Sequence, residues 1–332
     1  MTGPAQATSP ITKARRLRDL LAHERPVVSP GVYDGYSLLL VEAMGFKTAA
    51  VSGSALSNAL IVQPDIGLLS LRENVDQCRH LARSVAIPLM ADADTGYGNA
   101  VSVYHVVQYF EEAGIVGINV EDQIMPKRCG HMRGKELIEP REMAMKIEAA
   151  LKAKRDPDFI LNARTDAIAV EGIEKTIARV KLYAAAGADM IYPDAVRNED
   201  DVKRIVDAVP DLPVNISIGF GVRARPTTPL FPLKRLKALG VARASAPRMM
   251  SASALAGMKK ALEVMKQCIE TGEAADRPDL LVGMEELTAL VGYARVTELE
   301  QSLLTEEQLE RKYGTGAREY VVREGAFDRG AE

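Results

Sequence analysis

A closed (β/α)8 TIM barrel followed by a C-terminal helical extension is the architecture expected from three features of this chain. Short apolar runs alternate eight times with stretches of helical periodicity, at a spacing of roughly thirty residues, the repeat that a barrel of ~250 residues requires. Polar residues gather just where those runs end: Ser52 and Ser54, Asp92 and Asp94, Glu121, Arg164, Asp194, and Asn215 with Ser217. Barrel enzymes build their sites at the C-terminal ends of the strands. The rival is a doubly wound open sheet. No Gly-x-Gly-x-x-Gly opens a helix after the first run, and Gly96-x-Gly98 lacks the third glycine and follows the third run.

In order, the strands are expected at 26–31, 48–51, 87–91, 117–120, 159–163, 190–192, 213–216 and 241–245. A leading helix over 13–23 carries Leu17, Leu20 and Leu21 at helical spacing between basic residues. The helices that follow the strands span 37–44, 71–84, 101–113, 141–153, 172–186, 200–209, 233–239 and 253–270. Gly45, Gly114 and Gly187 stand just past three of them, where a helix ends most easily. Beyond the eight units, 284–304 is again apolar at helical spacing, and Thr305-Glu306-Glu307 reads as the start of another helix. The chain thus divides into a disordered N-terminus (1–12), a catalytic barrel (13–270) and a helical extension (271–332) whose last residues, 325–332, are frayed. A barrel closes without these extra helices, so their apolar faces point to a second subunit.

Hydrophobic residues make up 47% and charged residues 26% of the 332. The formal charge of −3 provides no basic field for nucleic acid. No apolar run approaches the ~20 residues that span a bilayer. The first ten residues are small and polar, unlike a secretory signal. Cys78, Cys129 and Cys268 are too few and too scattered for a disulfide framework, which fits a reducing, cytoplasmic setting and a small-molecule substrate.

The chemistry concentrates in Glu121-Asp122-Gln123-Ile124-Met125-Pro126-Lys127-Arg128-Cys129-Gly130-His131. Two carboxylates, two cations, a thiol and an imidazole follow a buried strand in a loop punctuated by Pro and Gly. Cys129 beside Lys127, Arg128 and His131 is either a tuned nucleophile or proton donor, or an incidental cysteine. Asp92 and Asp94, two apart at a strand end, are expected on one face. Two such carboxylates call for a hard cation, with Mg²⁺ favoured by the oxygen ligands, unless one merely caps the turn. Arg164 suits a substrate carboxylate or, equally, a buried ion pair with a barrel acid.

The blocks 92–98 (Asp-Ala-Asp-Thr-Gly-Tyr-Gly), Glu121-Asp122-Gln123, Lys127-Arg128-Cys129-Gly130-His131 and Asn162-Ala163-Arg164-Thr165-Asp166-Ala167 resemble the isocitrate lyase/phosphoenolpyruvate mutase superfamily, nearest its 2-methylisocitrate lyase-like branch. Ser52-Gly53-Ser54 and Pro64-Asp65-Ile66-Gly67 match as well, and the resemblance runs from about Arg16 to Leu304. It implies a Mg²⁺-dependent barrel enzyme (Mn²⁺ as the alternative ion) that acts on 2-oxo or 2-hydroxy acids. It also implies a homotetramer, built as a dimer of helix-swapped dimers. By the same resemblance, Asp92 and Asp94 are metal-site acids, and Asp65 and Glu121 hold metal waters. Ser52, Gly53 and Ser54 take the 2-oxo acid end of the substrate. Arg164 binds a carboxylate, and Gly130, His131 and Asn215 contact the other acid end. Residues 127–131 form a closing loop, in which Lys127, Cys129 and His131 are catalytic and Cys129 is the acid.

The expected activity is cleavage of a 2-hydroxy di- or tricarboxylic acid, of 2-methylisocitrate or substituted-malate type, to a 2-oxo acid and a carboxylic acid. The alternatives on the same scaffold are an oxaloacetate-type decarboxylase or hydrolase, or P–C bond chemistry on phosphonopyruvate or carboxyphosphonoenolpyruvate. Phosphoenolpyruvate mutases usually carry Asn-Ser where this chain has Cys129-Gly130, which favours the lyase. The chain departs from the methylisocitrate lyase pattern at Ala50, where a tyrosine is usual, and at Asp194, where glutamate is usual. An Arg-containing segment, 221–226, is also inserted. With the tyrosine gone, Tyr33 and Tyr97 are the candidates to replace it as base.

Overall fold

The computed structural model of the chain describes residues 11–221, 223 and 228–314. The expected disordered start (apart from 11 and 12), most of the inserted segment and the frayed end lie outside the described residues. Two compact units emerge, Met1–Asp276 and Arg277–Glu332.

The first unit is the expected barrel. Its strands are β1 (Val27–Val32), β2 (Ala49–Val51), β3 (Leu89–Asp92), β4 (Gly117–Glu121), β5 (Ile160–Thr165), β6 (Met190–Pro193), β7 (Asn215–Ser217) and β8 (Arg243–Ala246). All pair in parallel in the order β6-β5-β4-β3-β2-β1-β8-β7, and a parallel bridge between Ile191 and Val214 brings the two edges together. The helices are α1 (Lys13–His23), α2 (Gly35–Ala43), α3 (Gly53–Ala59), α4 (Leu71–Ala82), α5 (Ala100–Glu112), α6 (Pro140–Ala153), α7 (Ala167–Val170), α8 (Ile173–Ala185), α9 (Glu199–Ala208), α10 (Leu233–Ala238) and α11 (Met249–Thr271). The short α3 and α7 were not expected. Each is a turn or two directly after a strand end, too brief to carry a readable apolar period.

Local chemistry sets these boundaries. Ser70 and Glu73 form a reciprocal capping box at the start of α4, as Asp34 and Ser37 do at α2. Thr12 caps α1 by accepting from the Arg15 amide. Leu17 and Leu21 of α1 are buried with Val27, Met90, Ile160 and Met190, so α1 packs on the barrel's N-terminal end. Burying each leucine is worth about 1.5–3 kcal/mol. The larger core lies between the strands' outward faces and the surrounding helices, with Ile118, Val120, Leu161, Ile191 and Ala244 among its residues.

The eighth helix behaves differently. No residue of α11 is buried, and Leu255, Met258, Leu262, Met265 and Ile269 are all exposed. In the second unit, 284–304 is two helices rather than one. α12 (Met284–Leu290) and α13 (Tyr293–Leu303) are separated at Gly292, whose φ of +77° a side chain would resist. α14 (Glu306–Tyr313) starts at the expected Thr305, in a capping box with Gln308.

Candidate active site

Strand alternation sends every second residue into the barrel. The inward set is polar: Ser29, Ser52, Asp92, Asn119, Arg164, Tyr192, Asp194, Ser217, Arg243 and Ser245 all line one cavity at the C-terminal end. Ala50, Ser54, Asp65, Cys129, Gly130, His131 and Arg248 complete its walls. Asn215 is fully buried next to this set and donates to Ser245 Oγ at 3.4 Å.

The loop after β4 is folded down over the cavity. Gln123 holds it from both sides of Arg128, accepting from its amide at 2.9 Å and donating to its carbonyl at 2.8 Å. The Cys129 amide donates to the Asp65 carbonyl at 3.1 Å, and Lys135 Nζ donates to the Gly130 carbonyl at 2.8 Å and pairs with Asp166 at 3.0 Å. Gly130 is required here, since a Cβ would lie 1.6 Å from Asp194 Oδ2. Asp122, next to Glu121 in the motif, is scaffold. Its buried carboxylate accepts from Thr165 Oγ1 and Tyr183 OH, both at 2.7 Å, and from the Asp166 amide at 3.0 Å.

Cys129 is 6% exposed, with its Sγ 3.0 Å from Arg248 Nη2. Burial pushes its pKa up, against the opposing pull of the Arg248 charge, so the group rests as a thiol. Arg248 follows β8 and gave no signal in the sequence. Its Nη2 is also 4.0 Å from Asp65 Oδ2, which places one guanidinium between the thiol and the acid cluster. His131 lines the same cavity. Burial lowers its pKa, against the attraction of Asp194, which favours the neutral imidazole.

The acids occupy the opposite side. The strand ends at Asp92, and Asp94 has a left-handed φ of +48°, so the two do not share a face through strand alternation as expected. They divide the work. Asp92 faces the cavity and accepts the Asp94 amide on Oδ1 at 3.2 Å. Asp94 turns to Lys127, 2.9 Å away, which also pairs closely with Asp65. Burial raises Asp94 to about 6, opposed by Lys127 and reinforced by repulsion from Asp92 and Asp65. Burial disfavours the Lys127 ammonium, but Glu121, Asp94, Asp65 and Asp92 outweigh it and hold its pKa well above the usual value. Lys127 is therefore the counter-charge of the acid cluster and is not among the residues lining the cavity.

Arg164 sits in the ion pair that was one of its two expected readings. It bonds Asp166 at 2.9 Å and Asp194 at 3.0 Å, and lies 3.2 Å from Glu121 Oε2 while still lining the cavity. That last approach is misdirected for a hydrogen bond, and both Glu121 oxygens are buried without a donor. Burial pushes Glu121 well above the carboxylate range, opposed by Arg164 and Lys127. On the β2 side, Ser52 and Ser54 approach each other at 3.1 Å beside Asp92, whose Oδ2 would lie 3.0 Å from a Cβ on Gly53.

The donor set fits a hard divalent cation that keeps much of its water. Among the described residues, no three His, Cys, Asp or Glu side chains converge as a complete protein cage. Asp92 facing the cavity, with the two acceptor oxygens of Glu121 lacking donors, is instead the one-carboxylate-plus-water arrangement that suits Mg²⁺. Neither Tyr33 nor Tyr97 lines the cavity, and Tyr97 OH is engaged by Asn74 at 2.9 Å. The tyrosine that does line it is Tyr192, with Arg164 5.5 Å above its ring. Tyr192, Arg243, Ser245 and Arg248 are among the site residues not foreseen, as are Ser29 and Asn119. Of these, 243 and 245 had a signal in the polar alternation of Arg-Ala-Ser-Ala within a buried strand.

The family model described as phosphoenolpyruvate phosphomutase matches residues 17–266. The 2,3-dimethylmalate lyase of Eubacterium barkeri is 34% identical over 88% of this chain and 98% of its own. The 2-methylisocitrate lyase of Aeropyrum pernix is 37% identical over 83% and 86%. Among solved structures, phosphonopyruvate hydrolase in complex with oxalate and Mg²⁺ superposes with a TM-score of 0.76 at 29% identity, over 89% of this chain and all of that one.

Proposed function

The chain belongs to the phosphoenolpyruvate phosphomutase family, and from that premise we propose that it is a carbon–carbon lyase that splits a 2-hydroxy di- or tricarboxylic acid into a 2-oxo acid and a carboxylic acid. The observation that carries this is the buried Cys129 thiol, held over one cavity with Asp92, Ser52 and Ser54 across from it. A proton donor on one side and an acid-lined, serine-lined pocket on the other is what cleavage next to a carboxylate needs. The 2,3-dimethylmalate and 2-methylisocitrate lyases among its relatives support the same reaction class.

In this reading Asp92 and Asp94, with Asp65 and Glu121 around them, hold Mg²⁺ (or Mn²⁺). When bound, that ion acts as a Lewis acid that favours ionisation of the 2-hydroxyl. Ser52, Gly53 and Ser54 bind the end of the substrate that becomes the 2-oxo acid. Gly130, His131, Arg164 and Asn215 bind the acid at the other end. As the hydroxyl-bearing carbon becomes a ketone, the electron pair of the breaking C–C bond passes to the carbon beside the departing carboxylate. The proton lost from the 2-hydroxyl leaves to solvent, the Cys129 thiol hands its own proton to that carbon, and the Arg248 guanidinium stabilises the thiolate left behind, which solvent reprotonates after product release. Lys127 balances the acid cluster and anchors the loop over the reacting atoms, which excludes water.

The exposed apolar faces of α11 and the second unit support a homo-oligomer in which α11 is exchanged between subunits around the catalytic domain of residues 13–270. No helix among the described residues is long and apolar enough to cross a membrane, and the three cysteines are unpaired, in keeping with a cytoplasmic enzyme. The deciding experiment is turnover of a panel of 2-hydroxy di- and tricarboxylic acids with and without Mg²⁺, read as 2-oxo acid release. Release from one or more members, lost without Mg²⁺, is expected. Release from none of them, alongside turnover of a phosphonate, sinks the lyase reading.

A further inference from the structure

Among the buried cations of the barrel, Arg243 stands apart. Lys127, Lys135, Arg164 and Arg179 each pair with at least one carboxylate, and Lys146 donates to the Thr95 carbonyl. Arg243 is 1% exposed, and among the described residues no carboxylate pairs with it. Its Nη2 donates to Ser29 Oγ at 2.7 Å, and its Nε is buried with no acceptor. A guanidinium has five N–H donors, and leaving such a charge buried without a counter-ion is costly.

The register shows what surrounds it. Arg243 pairs with Val27 and Asn215, and Ser245 pairs with Ser29 and Ser217. Positions 243 and 245 share the inward face. β1, β7 and β8 therefore form a wall of Ser29, Asn215, Ser217, Arg243 and Ser245 that contains no acid. Gly31, two residues beyond Ser29, pairs with Ala50, which adds only a methyl to the cavity. Ser29, Ser217, Arg243 and Ser245 of this wall, with Ala50, line the same cavity as Cys129 and Asp92. The wall has a buried cation that lines the cavity with an N–H donor left unfilled, which together call for an anion. A carboxylate matches a guanidinium in both charge and geometry.

We propose that Arg243, with Ser29 and Ser245, forms an additional anion subsite that receives a third carboxylate, so that the substrate is a tricarboxylic 2-hydroxy acid rather than a dicarboxylic one. This rests on the reading above, in which one carboxylate lies at the metal end and a second at His131 and Arg164.

The test is calorimetric binding of three inert acids to the full chain with Mg²⁺. Glutarate and tricarballylate have the same chain length and differ by one carboxylate, and oxalate needs only the metal end. Wild type is expected to bind tricarballylate at least about tenfold more tightly than glutarate, the gain of one charge-assisted contact. Arg243→Met should bring that ratio to within about twofold and leave oxalate unchanged, while Arg243→Lys keeps most of it. Should Arg243→Met not fold, Ser29→Ala decides, with an expected fall in the ratio of about threefold. A ratio near one in wild type, or a ratio untouched by Arg243→Met or by Ser29→Ala, overturns the subsite. Failure of oxalate to bind in the presence of Mg²⁺ overturns the metal-end reading instead, and leaves the tricarballylate-to-glutarate ratio as a separate result.

Discussion

The two walls of the barrel mouth are built on opposite principles. From β3 to β6 the inner wall is crowded with charge: Asp65, Asp94 and Lys127 form one cluster, and Glu121, Asp166, Asp194 and Arg164 form another. From β7 through β8 to β1 it has serines, an asparagine and one cation, Arg243, with no acid. Acids brought this close raise one another's pKa values, and the chain's own cations, Lys127 and Arg164, oppose that rise. The other wall leaves Arg243 without a carboxylate partner among the described residues. On the proposed reading the first wall takes a metal and the second an anion, so a substrate with a chelating end and an anionic end fits in only one orientation.

The contrast can be broken at several points. Removing Mg²⁺ with EDTA, or changing Asp92→Asn, attacks the acidic wall where it faces the cavity. Turnover is expected to fall by about 10⁴-fold, with calorimetry reporting loss of Mg²⁺ binding in the variant. A variant that binds Mg²⁺ as tightly as wild type would remove Asp92 from the metal site. Cys129→Ser acts between the walls. It should leave Mg²⁺ binding and thermal stability unchanged while kcat drops by about 10²–10⁴-fold, and turnover at the wild-type rate rules out the thiol as acid.

Arg248→Met sharpens the comparison from the cationic side. Steady-state kinetics should give kcat lower by about tenfold, with KM for the substrate nearly unchanged. The sign of its pH effect follows from charge. A thiol acts as an acid only while protonated, so kcat should stay level through neutrality and fall above the ordinary thiol range of about 8.5, because burial has already raised the Cys129 pKa. Taking away the neighbouring cation raises that pKa further, so the falling limb of the pH profile moves to higher pH in Arg248→Met. A limb that moves down, or not at all, separates Arg248 from the thiol.

The smallest effect on chemistry belongs to the scaffold behind the acidic wall. Asp122→Ala leaves Arg179 with one acid fewer and Tyr183 and Thr165 without their acceptor. Denaturant unfolding should show a loss of about 3 kcal/mol, with kcat changed little in the fraction that remains folded.

The sequence by itself determined the eight strand–helix repeats, the end of the barrel that carries the site, and most of the acids. Those features are local. A capping box, a glycine after a helix or a polar residue at a strand end is legible wherever the chain goes, because its cause lies within a few residues. The motif from Glu121 to His131 was legible for the same reason and divided into a metal-site Glu121 and a closing loop 127–131, but it did not reveal that Asp122 is scaffold and Lys127 the counter-charge of the acid cluster. What only the tertiary structure decided depends on residues distant in the chain. Asp94 leaves the strand's alternation through a positive φ and finds Lys127, which is thirty-three positions on (127 − 94). Arg248 reaches Cys129 across 119 positions, and Arg243 reaches Ser29 across 214. A guanidinium's meaning lies in what faces it, and closure of the barrel alone determines that. One arginine is a counter-ion on β5, another steadies a thiol after β8, and a third is left on β8 without an acid partner.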